Sequence, residues 1–137
     1  MNNRLYVTDT HPLLHYFCNS NRKLSLKVKQ IFDDCLFSQS AAIYVPAAVL
    51  LEISILLHSG KIQISDFYGD WIDALFANNM VNPVPFDQET AKHVHHLNFN
   101  TDLFDKAIVA TALQLDLPLI TNDSKMHENK PCPLIWN

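Results

Sequence analysis

The chain has 137 residues, of which 48% are apolar and 18% charged, and its net charge is −4 at pH 7. That length fits one domain, residues 1–137, with enough chain to bury a core, and the composition argues against disorder. A nucleic-acid binder usually carries a basic footprint. This chain lacks one, so a polyanionic substrate must be held through a metal or a local patch.

The one basic cluster is Arg22, Lys23, Lys27 and Lys29, which reads first as a solvated helix face. Cys18, Cys35 and Cys132 are odd in number and widely spaced. They form neither a zinc pattern nor a disulfide framework, and a reduced, cytoplasmic protein is the simplest reading. The N-terminal segment 1–6 is short and polar, unlike a signal peptide. Apolar stretches fall short of the roughly 18 residues of a membrane span.

In chain order, Leu5 to Thr8 reads as a strand, and Asp9 follows it directly. A helix is predicted from His11 to Phe17, with Pro12 tolerated in its first turn. Leu24, Val28, Ile31, Phe32 and Cys35 recur at helical spacing, which predicts a second helix from Leu24 to Phe37, capped by Ser25 or a neighbour. Ala42 to Val45 is a buried strand, and Pro46 opens a helix through Leu57 that carries Glu52. Gly60 ends that helix or the turn after it. Ser65 is placed to cap a helix from Asp66 to Ala77. Val81 to Val84 reads as an edge strand, since Pro83 cannot donate to a ladder. Asp87 caps a helix from Gln88 to about Leu97, and Thr101 or Asp102 starts another that runs to about Leu115. Pro118 to Thr121 is a strand followed by Asp123, and Leu134 to Trp136 is a last short strand. Alternating strands and helices predict an α/β fold with a mostly parallel sheet covered on both faces. In such sheets, sites form outside the carboxyl ends of the strands. Asp9 and Asp123 both belong to that edge.

Glu52 is the most informative acid. Its helix is apolar apart from Glu52 and Ser54, so it is expected to be largely buried, and no Lys or Arg lies within one turn. Burying a carboxylate costs several kcal/mol, even after relaxation. It must be paired, protonated or turned toward a site that wants negative charge. The other acids have plainer uses. Asp9 and Asp123 suit helix N-caps, and Asp102 with Asp105 imitates a capping box. Together, though, acids at two strand ends, one helical acid and an i, i+3 pair exceed what capping requires. Crowded carboxylates repel. A hard cation such as Mg²⁺ or Mn²⁺ relieves this and can activate water against a phosphodiester.

Four segments then carry a resemblance. Val7-Thr8-Asp9-Thr10-His11-Pro12-Leu13-Leu14 is similar to the "LDTHxLLW" opening of PIN-domain proteins, specifically the VapC-type toxin ribonucleases. Val45-Pro46-Ala47 through Leu51-Glu52-Ile53 resembles their glutamate-bearing helix. The segment Asp102 to Ala112 is similar to "DPFDRLLIAQA", and Leu119-Ile120-Thr121-Asn122-Asp123 resembles "LVTRD". Leu134-Ile135-Trp136 resembles their closing strand. The match runs in order along essentially the whole chain. It implies a PIN-like fold, Mg²⁺ or Mn²⁺ dependence, endonucleolytic RNA cleavage, a homodimer, and inhibition by a cognate antitoxin protein. Position by position, it implies that Asp9, Glu52, Asp105 and Asp123 form the catalytic, metal-binding core. Asp102 would be an accessory acid, and Thr121 would orient Asp123 or a ligand water. Leu103 stands where the pattern has Pro, Lys106 where it has Arg, and Phe99 and Asn100 where a basic residue or histidine is usual. No core acid is missing.

Other chemistry is weaker. His93, His95 and His96 share a helix, and His11 and His15 are spaced i, i+4, but nothing is placed to complete a transition-metal site. Trp71 lies among aromatics at helical spacing, which favours core or dimer packing over base stacking. No nucleophile elbow supports a serine triad. Two further readings remain. One is a receiver-like Mg²⁺-binding signalling module, although its middle and late strands would have to end differently from Val45-Pro46 and Thr121-Asn122. The other is a catalytically silent PIN relative that only binds a partner.

Overall fold

A computed structural model describes residues 4–18 and 21–137. The segment 1–6, read above as too short for a leader, lies partly outside them. Five strands form one sheet: β1 (Leu5–Thr8), β2 (Ala42–Pro46), β3 (Val81–Val84), β4 (Leu119–Ile120) and β5 (Leu134–Ile135). Their order is β3-β2-β1-β4-β5, and every pairing is parallel, so the expected mostly parallel sheet is wholly so. A receiver would show the order 2-1-3-4-5. The connections are α1 (Thr10–Phe17), α2 (Leu26–Asp33), α3 (Ala47–His58), α4 (Tyr68–Phe76), α5 (Gln88–His96), α6 (Leu103–Leu115) and α7 (Ser124–Asn129). The fold is α/β.

The core sits on the central strands. Val7, Ile43, Val45, Leu119 and Ile120 are fully buried, packed with Leu13, Val28, Phe32, Ile53 and Ile108 from the helices. Strand β2 is buried at four of its five positions, the near-continuous burial expected of a parallel strand covered on both faces. Each large aliphatic side chain so buried contributes on the order of 2 kcal/mol.

Most of the expected elements form within a residue or two, with three informative differences. The second helix stops at Asp33 and widens into a π turn, Asp34–Ser38, that ends on Gln39 in the left-handed region at φ 55°. Ser25 does cap it, accepting from the Val28 amide. Helix α4 begins at Tyr68 with Phe67 at its N-cap, so Ser65 caps nothing. Instead the Tyr68 hydroxyl donates to the Leu50 carbonyl, which fixes the helix start against α3. Helix α3 is less buried than its composition suggests. Ala48, Val49 and Ile53 face the core, while Leu51 is 57% and Ile55 48% exposed. Beside the buried side of α3, an apolar groove of about 250 Å³ runs between α3 and the start of α6, lined by Leu51, Phe86, Val94 and Leu103 among others.

Strand β3 is an edge, as Pro83 suggested. The Ile43 amide donates to the Met80 carbonyl, so by alternation Asn82 and Val84 face β2 while Val81 and Pro83 point outward. The outward Val81 amide is used by the Asn78 carbonyl. Among the described residues, no helix is long and apolar enough to cross a membrane.

Candidate metal and phosphodiester site

The site is built at the carboxyl edge of the sheet, where the strand order reverses between β1 and β4. Strand β1 pairs Thr8 with Ile120, and the Asp9 amide continues that ladder to the Ile120 carbonyl at 3.0 Å. This register sets Asp9 beside Thr121. A cleft of about 290 Å³ opens above them, lined by Asp9, Glu52, Asp102, Asp105 and Asp123. Five acids from four segments are therefore brought to one place. His11, His15, Lys23, Asn122 and Trp136 line it too.

The plain explanation and the convergence hold together. Asp9 caps α1, Asp102 caps α6 through the Asp105 amide at 2.8 Å, and Asp123 caps α7 through the Met126 amide at 2.9 Å. A parallel sheet hands each strand to a helix at this edge, so capping acids and helix N-termini gather around the same cleft. The partial positive ends of the dipoles offset some of the carboxylate repulsion. The capping box expected at Asp102 and Asp105 is only half made. The Asp105 side chain accepts from the Thr101 hydroxyl at 2.8 Å instead of reaching back to the Asp102 amide.

The most buried acid is Asp9, only 6% exposed, and not Glu52, which is half-buried at the boundary between the covered and open sides of α3. Asp9 keeps its charge fixed with two donors: the Thr10 amide to Oδ1 at 2.8 Å and the Thr121 hydroxyl to Oδ2 at 2.7 Å. Burial pushes its pKa up, the two hydrogen bonds pull it down, and Glu52 pushes it up again. Glu52 itself accepts from the Thr10 hydroxyl, so the first residue of α1 bridges Asp9 and Glu52. Asp105 is pushed up to about 7, chiefly by burial, against the Thr101 hydrogen bond and with the repulsion of Asp9, Asp102 and Asp123 added.

Thr121 contacts both Asp9 and Asp123, the residue it was expected to orient. It orients Asp9 directly, and its oxygen also accepts from the Asp123 amide at 3.1 Å. The Thr121 carbonyl is in turn held 2.8 Å from His127 Nε2. Thr121→Val preserves shape but leaves Oδ2 of a buried carboxylate without its donor. Urea unfolding at pH 7 is expected to show a loss of about 1–3 kcal/mol. The loss should shrink on acidification, as Asp9 becomes protonated and donates a hydrogen bond of its own.

Among the described residues, no three carboxylate, imidazole or thiolate groups already stand around one point at ligating distance. Five carboxylates share the cleft with two imidazoles, His11 and His15, and one lysine, so oxygen donors dominate it and most are anionic. That chemistry fits a hard divalent cation better than zinc or copper. The histidines His93, His95 and His96 lie away from this cleft on α5, with His95 and His96 exposed. Trp71 packs against the core. Reasoning from the sequence missed Lys23, His15 and Trp136 as cleft residues. The basic cluster near Lys23 was the only signal that pointed there.

A family model described as the PIN domain matches residues 6–130. The search of curated proteins gives no match. Among solved structures, the chain is similar to one of VapBC2 from Rickettsia felis bound to a DNA fragment from its promoter, with TM-score 0.69 and 14% identity over 97% of this chain and 99% of that one. It is similar to VapBC-1 from nontypeable Haemophilus influenzae, with TM-score 0.62 and 16% identity over 96% and 97%. VapBC-5 from Mycobacterium tuberculosis, described as a member of the VapBC family of toxin–antitoxin systems, gives TM-score 0.57 and 17% identity over 97% and 98%. The acidic cleft at the switch point, the strand order and the match over nearly the whole chain agree: this protein belongs to the PIN domain family.

Proposed function

We propose that the chain is a metal-dependent endoribonuclease, the toxin of a toxin–antitoxin pair, which hydrolyses RNA phosphodiester bonds with Mg²⁺ or Mn²⁺. The observation that carries this reading is the meeting of Asp9, Glu52, Asp105 and Asp123 in one cleft at the carboxyl edge of the sheet. Family membership and the toxin–antitoxin systems named for its structural neighbours support it.

Asp9, Glu52, Asp105 and Asp123 are the residues that would hold the ion, with Asp102 as an accessory acid at the rim. The bound cation supplies an activated water and neutralises charge on the phosphodiester. The chain's own contribution is placement. Thr121 and the Thr10 amide fix Asp9. The Thr10 hydroxyl fixes Glu52, and Thr101 holds Asp105 toward the cleft. Removing such outer partners typically costs 10–100-fold in affinity or activity. The open apolar side of α3 supports a homodimer, and the type of neighbour supports a cytoplasmic protein inhibited by a cognate antitoxin.

The test is cleavage of end-labelled RNA by the purified chain. Cutting with Mg²⁺ or Mn²⁺ is expected, with none in EDTA, and Glu52→Gln is expected to slow it about a hundred-fold or more. Cleavage that persists both in EDTA and in Glu52→Gln overturns the assignment. An adjacent small reading frame whose product blocks cleavage would identify the antitoxin.

A further inference from the structure

The cleft has a second wall that the acids do not explain. Lys23 closes the short 3-10 turn Asn21–Lys23, and Leu24 binds back to the Asn21 carbonyl at 2.9 Å, which fixes the turn. Two residues on, the Ser25 hydroxyl donates to the Trp136 carbonyl, which ties the end of β5 to the start of α2. This contact joins segments 111 residues apart and sets Lys23 and Trp136 on the same cleft as the carboxylates. Trp136 is half-buried, packed on the core on one side and lining the cleft on the other. Lys23 is exposed and makes no ion pair among the described residues, whereas Lys29 and Lys92 are both paired. His15, which also lines the cleft, has its pKa pushed down by burial first and then by the charge of Lys23.

An ammonium without a partner and a half-open indole facing one cleft match the two repeating parts of a polynucleotide. A lysine suits a phosphate as a point charge, and an aromatic face suits any base. We propose that Lys23 and Trp136 form a nucleotide-binding subsite beside the acidic centre, Lys23 holding a phosphate that flanks the scissile bond and Trp136 stacking the base attached to it. This rests on the nuclease reading above and assigns that activity its positioning residues. It also answers the charge problem. With a chain of net charge −4 and five acids in the cleft, a strand of RNA needs a fixed local cation, and Lys23 is the lysine placed there.

The test measures binding of a short single-stranded oligoribonucleotide to full-length protein carrying Glu52→Gln, alongside cleavage kinetics in the otherwise native chain. Trp136→Ala is expected to weaken binding about five-fold or more, with Trp136→Phe recovering part of it, as a stacked base requires. Lys23→Gln is expected to raise KM with little change in kcat. It should also lower the slope of log affinity against log salt by about 0.7, the signature of one lost phosphate contact on a single strand. A merely structural lysine would leave that slope unchanged. If Trp136→Ala fails to fold, the Trp71→Phe protein reports on Trp136 alone: quenching of its emission by the oligonucleotide supports stacking, and an unmoved emission overturns it. If the native chain cuts RNA while Trp136→Ala keeps its affinity and Lys23→Gln keeps both its affinity and its salt slope, the subsite is wrong and the nuclease reading stands. If the native chain cuts no RNA with either metal, both fall.

Discussion

Asp9→Asn is expected to lower RNA cleavage about a thousand-fold or more while making the metal-free protein more stable. The two effects share one cause. Asp9 is the deepest carboxylate of the cleft, with burial and the neighbouring Glu52 both pushing its pKa up. A buried charge near a like charge is a cost to the fold. It is tolerated where a site needs it, and such strain is commonly offset elsewhere in the protein. Asparagine keeps an oxygen for the Thr10 amide and the same shape against Thr121, so the cap on α1 survives. It removes the buried anionic group that would hold the proposed ion. Electrostatic stabilisation of several kcal/mol is at stake, and at about 1.4 kcal/mol per tenfold that corresponds to about a thousand-fold in rate. Thermal unfolding in EDTA should show the midpoint a few degrees higher than in the native chain. Cleavage at the native rate would remove Asp9 from the mechanism, and loss of cleavage together with loss of folding would show that its role is structural.

The second large effect is a stability profile that runs opposite to that of most small proteins. Asp105 is raised to about 7 from an ordinary value of 3.8, and Asp9 is raised as well. Between those values the folded state binds more protons than the unfolded one. Stability in EDTA therefore falls as pH rises from about 4 to about 7. Asp105 is half-exposed, so a nominal cost of about 4 kcal/mol is cut by solvent screening to about 1–2 kcal/mol. Asp33, Asp34 and Asp87 are held low by Tyr16, Arg4 and Thr90 respectively, and they contribute the usual rise with pH, but below about 4. His15, held low chiefly by burial, opposes the fall with a small gain as pH passes through its lowered pKa toward 6.5. An ion that binds only the charged carboxylates reverses the profile, so the stabilisation by excess Mn²⁺ should grow from pH 5 to pH 8. Urea midpoints across pH, with and without Mn²⁺, measure both arms. If Asp105→Asn leaves the EDTA profile as steep as in the native chain, the raised carboxyl is not its source.

Much of this site was legible because its acids obey local rules. Asp9 and Asp123 each follow a strand that hydrophobic pattern alone picks out, and the strand-to-helix handover puts both on one edge whatever the rest of the chain does. Depth was less legible. The apolar run around Glu52 suggested full burial, yet composition cannot say which side of a helix meets a neighbour, and α3 leaves Leu51 and Ile55 open. Asp9, in a polar local context of Thr8 and Thr10, turned out deeper because β2 and β4 flank it on both sides. The Lys23, His15 and Trp136 wall was invisible for a different reason. A hydrogen bond from Ser25 to the far end of the chain brings Trp136 beside the turn that carries Lys23, and no periodicity or spacing encodes that contact. The missed start of α4 is a similar case, since a tertiary bond from Tyr68 decided it over the local capping preference for Ser65.

The outer flank of β3 bears on how the molecule avoids unwanted company. Its two outward positions offer a neighbouring chain no free amide, because Val81 is already satisfied and Pro83 has none to give. A foreign strand laid there would find acceptors but no donors, and could not knit a ladder. At the opposite flank β5 has only two residues. The sheet is thus closed to runaway fibril growth from both sides, and recognition is left to side chains on the helices and the cleft.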